Sequence, residues 1–136
     1  MSRSGYSDDI DGWDLIRWRG AVASAMRGKR GQAFLREVLA ALDALPEKKL
    51  IPNEFEADGA YCTLGAVGKA RGLDMSALDP YDDTTGDMFG IANAMAKEIR
   101  WFNDEASLWK ETPEARWQRV RNWVASKIWD WQEVAE

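Results

Sequence analysis

Apolar side chains recur every three or four positions through the first third of the chain, which is the spacing of one face of an α-helix. The first set is Leu15, Trp18, Val22 and Ala25 or Met26, and the second is Phe34 or Leu35, Val38, Leu39, Leu42 and Leu45. We expect the first helix to begin near Trp13 and to end at Gly28. Pro46 ends the second helix, since proline does not fit a helix interior. A short basic turn over Lys29–Gly31 would join the two helices as an antiparallel hairpin.

The middle of the chain lacks that spacing. Short extended segments flank Asp58-Gly59, a residue pair typical of two-residue hairpin turns, and they predict a β-hairpin near residues 50–62. A two-stranded ribbon is marginally stable alone, so it must lie against helices. A short helix capped by Thr63 is expected over residues 64–70, and its glycines and alanines would let another backbone approach closely.

The last third of the chain contains two helix-start signals. Asp79-Pro80 combines a capping aspartate with a proline at the first helical position, and Thr112-Pro113-Glu114 has the same form. Gly90 marks a break between them. The apolar positions are Ile91, Met95, Ile99 and Phe102 in one helix, and Trp117, Val120, Val124, Ile128 and Trp131 in the last. The pattern predicts a mainly α, compact five- to six-helix domain over residues 11–136, preceded by a flexible arm over residues 1–10.

Composition excludes several kinds of chemistry. The chain has 136 residues, enough for one domain, with no histidine and a single cysteine, Cys62. Without histidine there is no Ser/His/Asp or Cys/His relay, and one cysteine forms neither an internal disulfide nor a CxxC metal site. We therefore predict no catalytic residue, no cofactor and no metal ligand. No apolar run is long enough for a membrane span and no signal sequence is recognisable, so we expect a soluble intracellular protein without membrane contact.

Charge is unevenly distributed along the chain, although the net charge is −5. Five bases and no acid lie between Leu15 and Leu35, namely Arg17, Arg19, Arg27, Lys29 and Arg30. The last three surround the start of the second helix, where free N–H groups and the helix dipole favour an anion. We therefore predict a site for an anion or for a partner protein in this basic hairpin. The alternative is a solvated turn, with Arg17 and Arg19 paired to the acids of residues 8–14.

Two other groups of residues are better explained by a structural role than by a catalytic one. Asp79, Asp82, Asp83 and Asp87 include pairs that share a helix face, but the dipole stabilises acids in a first helical turn, so we prefer capping to a metal or hydrolase site. Cys62 lies next to a helix start, which lowers a thiol pKa, yet no histidine is present to act as its base. We interpret Cys62 as a buried core residue.

Eight tryptophans are difficult to place inside the core of so small a domain. The predicted core members are Trp13, Trp18 and Trp117. The predicted surface for a partner, or for self-association as a homodimer, comprises Trp109, Trp123, Trp129 and Trp131. Exposed tryptophan is unfavourable unless it meets another surface, and tryptophan is enriched at the energetic centres of interfaces.

Five sequence segments carry a resemblance to a known family. They are SRSGYSDDIDGWDLIRWRGAVASAMRGKRGQAFL, ALDALPEKKLI, DGAYCTLGAVGKARGLDMS, FNDE and ETPEARWQRVRNWV. The chain resembles, to about Ile128, a family of small phage and prophage proteins, and residues 129–136 look like an extension. The resemblance implies a phage protein that acts in the cytoplasm of the host cell. Such proteins often bind a host protein, including components of antiviral defence, but these motifs carry no assigned chemistry, so no catalytic residue is transferred.

These observations lead to three hypotheses. The first is a non-enzymatic helical protein that binds and modulates a host or phage macromolecule, including as an inhibitor of host antiviral defence. The second is a regulatory protein that binds nucleic acid through the basic hairpin, although a net charge of −5 opposes long-range attraction to DNA. The third is a carboxylate- or metal-dependent hydrolase that uses the acidic clusters.

Overall fold

The computed structural model describes residues 12–75, 78–79, 82, 85–105 and 110–129. Within them the chain forms α1 (Gly12–Arg27), α2 (Lys29–Ala44), β1 (Glu56–Ala57), β2 (Ala60–Tyr61), α3 (Thr63–Ala70), α4 (Thr85–Phe89), α5 (Asn93–Asp104) and α6 (Pro113–Lys127). The prediction of a mainly α fold with a short β-hairpin is confirmed. The predicted arm over residues 1–10 lies outside the described residues. Among the helices of the described chain, none is long and apolar enough to cross a membrane.

Helix α2 is the centre of the fold, because it contacts α1, α3 and α6. Its apolar positions Leu35, Val38 and Leu42 are fully buried. A single residue, Gly28, connects α1 to α2, so the bases predicted to form a turn belong instead to the first turn of α2. The connection is tight, since a methyl group at Gly31 would lie 1.9 Å from a carbonyl oxygen of α1.

The ribbon forms around the predicted turn but is shorter than predicted. Asp58 and Gly59 both have positive φ (53° and 78°), as a two-residue hairpin turn requires, and Glu56 pairs with Tyr61. In the segment before the ribbon, the N–H of Ile51 still donates to the carbonyl oxygen of Tyr61 in β2 (2.9 Å), whereas the N–H of Leu50 donates to a carbonyl oxygen at the start of α6 (3.0 Å). The ribbon continues directly into α3, so it lies against helices as expected.

Helix α3 approaches the chain before the ribbon very closely. A methyl group at Gly65 would lie 1.8 Å from the carbonyl oxygen of Phe55, so only glycine fits there. The expectation that the small residues of α3 admit another backbone is confirmed. The predicted cap is off by one residue: Cys62 caps α3 by accepting from the N–H of Gly65 (3.4 Å), and Thr63 is the first helical residue.

The predicted starts of the last helices have different outcomes. Thr112 caps α6 by accepting from the N–H of Ala115 (3.1 Å), with Pro113 at the first helical position, which confirms that prediction. Gly90, with φ of 73°, separates α4 from α5 as expected. The proposed start at Asp79-Pro80 falls partly outside the described residues.

Asn103, at the end of α5, joins three parts of the fold through buried hydrogen bonds. Its Oδ1 accepts from the N–H (3.1 Å) and the hydroxyl (2.8 Å) of Thr63, and its Nδ2 donates to the carbonyl oxygen of Ile51 (3.0 Å). Its own carbonyl oxygen accepts from Nε of Arg116 (2.9 Å). Asn103 therefore holds the start of α3 and the segment before the ribbon against α5 and α6.

Candidate functional site

Arg27, Lys29 and Arg30 surround the connection between α1 and α2, and we call these three residues the basic corner. All three are exposed. Gly28 takes an extended conformation (φ −66°, ψ 163°) and caps α2 without a side-chain hydrogen bond. The positive end of the α2 dipole therefore points at the basic corner with no capping side chain in between.

The charges of the basic corner are not neutralised by the described part of the chain. None of its three side chains has a carboxylate partner there, and the first turn of α2 contains no acid. Arg27 lies at the carboxyl end of α1, where the helix dipole favours a cation, but Lys29 and Arg30 lie at the amino end of α2, where the dipole disfavours one. Three like charges at this point would be stabilised by a bound anion.

The other two predicted bases lie elsewhere on α1. Arg17 forms an ion pair with Asp14, one turn earlier in the same helix. Arg19 is exposed, and its charge acts on Glu98 of α5. Burial raises the pKa of Glu98, and nearby positive charges, Arg19 among them, oppose that rise. The structure therefore brings together three of the five predicted bases and separates Arg17 and Arg19 from them.

Trp129 lies beside the start of α2 because the chain turns back onto this helix after α6. Gln32, only 1% exposed, donates from Nε2 to carbonyl oxygens near the ends of α1 and α6 (both 2.9 Å) and accepts from the N–H of Trp129 (2.7 Å). Arg36 donates to the carbonyl oxygen of Trp129 (2.5 Å). The Trp129 side chain is 48% exposed. The backbone of Trp129, which carries this exposed aromatic side chain, therefore lies within about one to two turns of Lys29 along α2.

The end of α6 corrects the predicted last helix. The apolar pattern runs on to Trp131, but α6 ends at Lys127, and Ile128 is already extended (ψ 128°). The side chain of Gln32 replaces the missing helical bonds by accepting from and donating to the backbone on both sides of Ile128. Trp131 itself lies outside the described residues.

Of the other tryptophans predicted to meet a partner, Trp123 packs within the fold. Trp123 is half-buried, and its ring stacks on Phe102 with centroids 4.2 Å apart and an interplanar angle of 13°. This stacking joins α6 to α5, so Trp123 has a structural role. Trp109 lies outside the described residues.

Trp13 is not a core residue, contrary to the prediction. It is 77% exposed, and Ile16, one turn later, is 63% exposed. Trp13 lies nine positions before the buried Val22, and at 100° per residue this places it on the opposite side of α1. Trp18 and Trp117 are half-buried and pack against the core, and Nε1 of Trp117 donates to a carbonyl oxygen of α2 (3.0 Å).

The described residues give no support to the chemical alternatives. Cys62 is buried, and burial raises the pKa of its thiol to about 12, so the group is protonated at neutral pH. The interpretation of Cys62 as a core residue is confirmed. Of the acidic cluster, Asp83 lies outside the described residues, and the described chain contains no group of three or more Cys, Asp or Glu residues that could hold a metal ion.

A surface groove of about 300 Å³ lies between the ribbon turn and the segment after α2. Its cationic side chains are already engaged by other residues. Lys49 lies 3.3 Å from Glu47 and 3.6 Å from Glu114, and Lys69 lies over the ring of Tyr61 at 5.5 Å. The groove therefore offers less unneutralised charge than the basic corner.

Comparison of the chain with protein-family models, with curated proteins and with solved structures found no match. The functional inference therefore depends on the chemistry of the surface. Among the features described above, the basic corner with Trp129 combines exposed charge with exposed apolar area. We take it as the candidate functional site.

Proposed function

We propose that this protein binds and modulates an acidic partner protein through the basic corner and Trp129. One observation carries the proposal: three cations at an uncapped helix start have no carboxylate partner in the described chain, beside a tryptophan that is 48% exposed. Carboxylates of a partner would relieve the repulsion among the cations, and the indole would supply apolar contact area. Arginine and tryptophan are the residues that most often dominate binding energy at protein interfaces.

A protein partner fits this surface better than nucleic acid does. The net charge is −5, so the rest of the molecule repels a polyanion at long range, whereas a protein presents a limited acidic patch. The basic corner has three cations, and Arg17 and Arg19 lie away from it on α1. Sequence-independent binding to DNA draws its affinity from many phosphate contacts, which three cations do not provide.

The proposed setting is the cytoplasm of a phage-infected host cell, with inhibition of a host defence component as the form of modulation. The support for this setting is the resemblance of the chain to small phage and prophage proteins. The support for a binding role, rather than an enzymatic one, is the absence of histidine from the sequence together with the protonated, buried Cys62.

The proposal is tested by affinity capture from lysates of phage-infected and uninfected bacteria, with three versions of the protein as bait. The wild type should retain a protein that both Lys29→Glu/Arg30→Glu and Trp129→Ala lose. A Gln118→Glu variant, which adds a negative charge to an exposed position of α6, is the matched control and should retain it. Retention should decrease as the salt concentration rises from about 0.05 M to about 0.5 M, because salt screens exposed ion pairs.

Two outcomes would overturn the proposal. In the first, the charge-reversed variant and the wild type retain the same proteins. In the second, a gel shift at low salt shows that duplex DNA binds the wild type and that Lys29→Glu/Arg30→Glu abolishes the shift. The second outcome would assign the basic corner to the nucleic-acid-binding function instead.

A further inference from the structure

The outward face of α1 carries a stripe that the rest of the described chain leaves uncovered. Its exposed positions are spaced three, four, four and three residues apart and comprise Trp13, Ile16, Gly20, Ser24 and Arg27. The opposite side of α1 packs on α2 and α5, so this stripe is separate from the core-facing one. A spacing of three and four residues, averaging 3.5, is the period with which two helices pack along a common seam. We call these five residues the α1 stripe.

The α1 stripe is apolar in its first half and has a small residue at its centre. Trp13 and Ile16 make the first half apolar and highly exposed. At the centre, a methyl group at Gly20 would meet nothing within 4 Å, so no described part of the chain requires glycine there. Glycine in an exposed helix interior is destabilising relative to alanine. A small residue at the centre instead lets another helix approach α1 closely, because interaxial distance depends on the side chains at the contact.

The α1 stripe is self-complementary about Gly20. Trp13 and Arg27 each lie seven positions from it, and Ile16 and Ser24 each lie four positions from it. Two copies of α1 that cross antiparallel on a two-fold axis at Gly20 would therefore place each Trp13 against Arg27 of the other copy. A two-fold axis makes one surface patch serve as both sides of an interface.

Charge favours the antiparallel arrangement. Nε of Arg27 donates to the carbonyl oxygen of Ala23 (3.2 Å), which holds the guanidinium along the stripe, where an indole face of the second copy would attract it. In a parallel pair, Arg27 would face Arg27 and the two helix dipoles would point the same way. Arg17, which flanks the centre of the stripe, is paired with Asp14 in its own copy and so adds little repulsion.

We propose that the protein forms a homodimer in which α1 packs antiparallel on α1 of a second copy, with the two-fold axis at Gly20. The contact involves one 16-residue helix from each copy, whereas stable interfaces bury ~1,200 Å² or more, so we expect a weak dimer that forms reversibly. The connections at Gly28 of the two copies lie about 24 Å apart along the pair. Each basic corner is then bordered by Trp13 of the second copy, so the dimer presents two composite binding sites.

Disulfide crosslinking of full-length variants tests the geometry, in a Cys62→Ser background that removes the buried thiol. Gly20→Cys should crosslink to itself, because the two positions meet on the axis. Ile16→Cys alone should not, since its two copies lie about 12 Å apart along the pair. An equimolar mixture of Ile16→Cys and Ser24→Cys should crosslink. Ala40→Cys, an exposed position on α2, gives the level of random collision.

Sedimentation equilibrium of the unmodified chain provides a measurement that needs no cysteine variant. The wild type should show a concentration-dependent dimer, and Trp13→Ala should weaken it by roughly tenfold or more. Trp129→Ala should leave the dimer unchanged while it removes partner binding, so the two proposals fail separately. A monomer at all concentrations would overturn the dimer, and so would crosslinking of Gly20→Cys no greater than that of Ala40→Cys. Crosslinking of Ile16→Cys alone as efficient as that of the mixture would indicate parallel helices and would overturn the antiparallel pair.

Discussion

At the scale of single residues, Gln32 determines where the chain goes after α6. Its amide joins the end of α1, the end of α6 and the backbone of Trp129, three segments that are far apart in the sequence. Gln32 is 1% exposed; its hydrogen bond to the end of α1 is buried, and its two hydrogen bonds at the end of α6 are partly buried. The backbone of Trp129 in the candidate site is therefore positioned by a buried amide and not by a helix.

Replacement of Gln32 by methionine, which has a similar shape, is expected to lower the free energy of unfolding by roughly 1–3 kcal/mol, since it leaves buried backbone groups without partners. Urea denaturation measures the change. The matched control is Gln118→Met on the exposed face of α6, which should change stability by no more than about 0.5 kcal/mol. Equal effects of the two substitutions would contradict the role given to Gln32.

Cys62 leads to a prediction about alkaline pH. Burial raises the pKa of its thiol from an ordinary value of 9.0 to about 12, so above pH 9 the unfolded chain releases this proton while the folded chain retains it. Unfolding is then favoured by rising pH, and the free energy of unfolding should fall by up to ~1.4 kcal/mol per pH unit from this group. The wild type should lose more stability than Cys62→Ser between pH 8 and 10.5. Parallel curves for the two proteins would show that the thiol is not shielded.

The side of a helix on which a residue lies could be predicted, because it depends on helical geometry alone. The exposure of Trp13 follows from its nine-residue distance to Val22. The prediction of Trp13 as a core residue was wrong because it counted apolar residues without considering the side of the helix on which each one lies. The role of Gln32 could not be predicted, because its partners lie 95 and 97 positions away at the end of α6. Nothing in the local sequence marks an amide that bonds over such a distance.

At the scale of secondary-structure elements, the first turn of α2 is electrostatically unfavourable. Lys29 and Arg30 lie at the positive end of the dipole, and Gly28 supplies no capping side chain. We interpret this arrangement as stability given up for binding, a trade common at functional sites.

The double variant Lys29→Glu/Arg30→Glu is therefore expected to raise the free energy of unfolding, by roughly 0.3–1 kcal/mol per residue at low ionic strength, while it abolishes partner binding. Arg27→Glu should have the opposite effect on stability, because Arg27 lies at the negative end of the α1 dipole. Thermal or urea denaturation at 20 mM and about 1 M salt separates the electrostatic part, since salt screens it. A loss of stability in the double variant would contradict the electrostatic argument.

Two glycines provide a second test at this scale. Gly20→Ala should stabilise the fold by roughly 0.5–1 kcal/mol, because no described residue lies within 4 Å of the added methyl group and alanine favours the helix. Gly65→Ala should be destabilising by more than about 2 kcal/mol, because its methyl group would overlap the carbonyl oxygen of Phe55. Denaturation at protein concentrations below that of dimerisation compares the two variants. Stabilisation by both substitutions would contradict the close approach of α3.

Element boundaries could be predicted where caps and breakers are local. The start of α6 depends on Thr112 and Pro113, and the ribbon turn depends on Asp58 and Gly59, so both were visible in the sequence. The length of the ribbon was not, because Ile51, which lies outside the paired strands, bonds to Tyr61 and Leu50 bonds to the start of α6. Long-range backbone partners decide such boundaries.

At the scale of the whole molecule, a net charge of −5 coexists with a local concentration of positive charge. The sequence predicted that five bases share one binding site. In the structure only three of them lie at the basic corner, whereas Arg17 and Arg19 lie earlier on α1. The association of Trp129 with that corner depends on the path of the chain after α6. The fold class could therefore be predicted from periodicity, whereas the composition of the candidate site required the tertiary structure.

The central claim is that the surface around the basic corner meets a partner protein. Site-specific photocrosslinking inside phage-infected cells tests it most directly, with the photoreactive residue at Ala33, an exposed position of α2 one turn from Lys29. We predict a discrete crosslinked protein from Ala33 that is absent from the matched position Gln118 on α6. The same crosslinked species from both positions, or crosslinks from Ala33 to nucleic acid alone, would contradict the account.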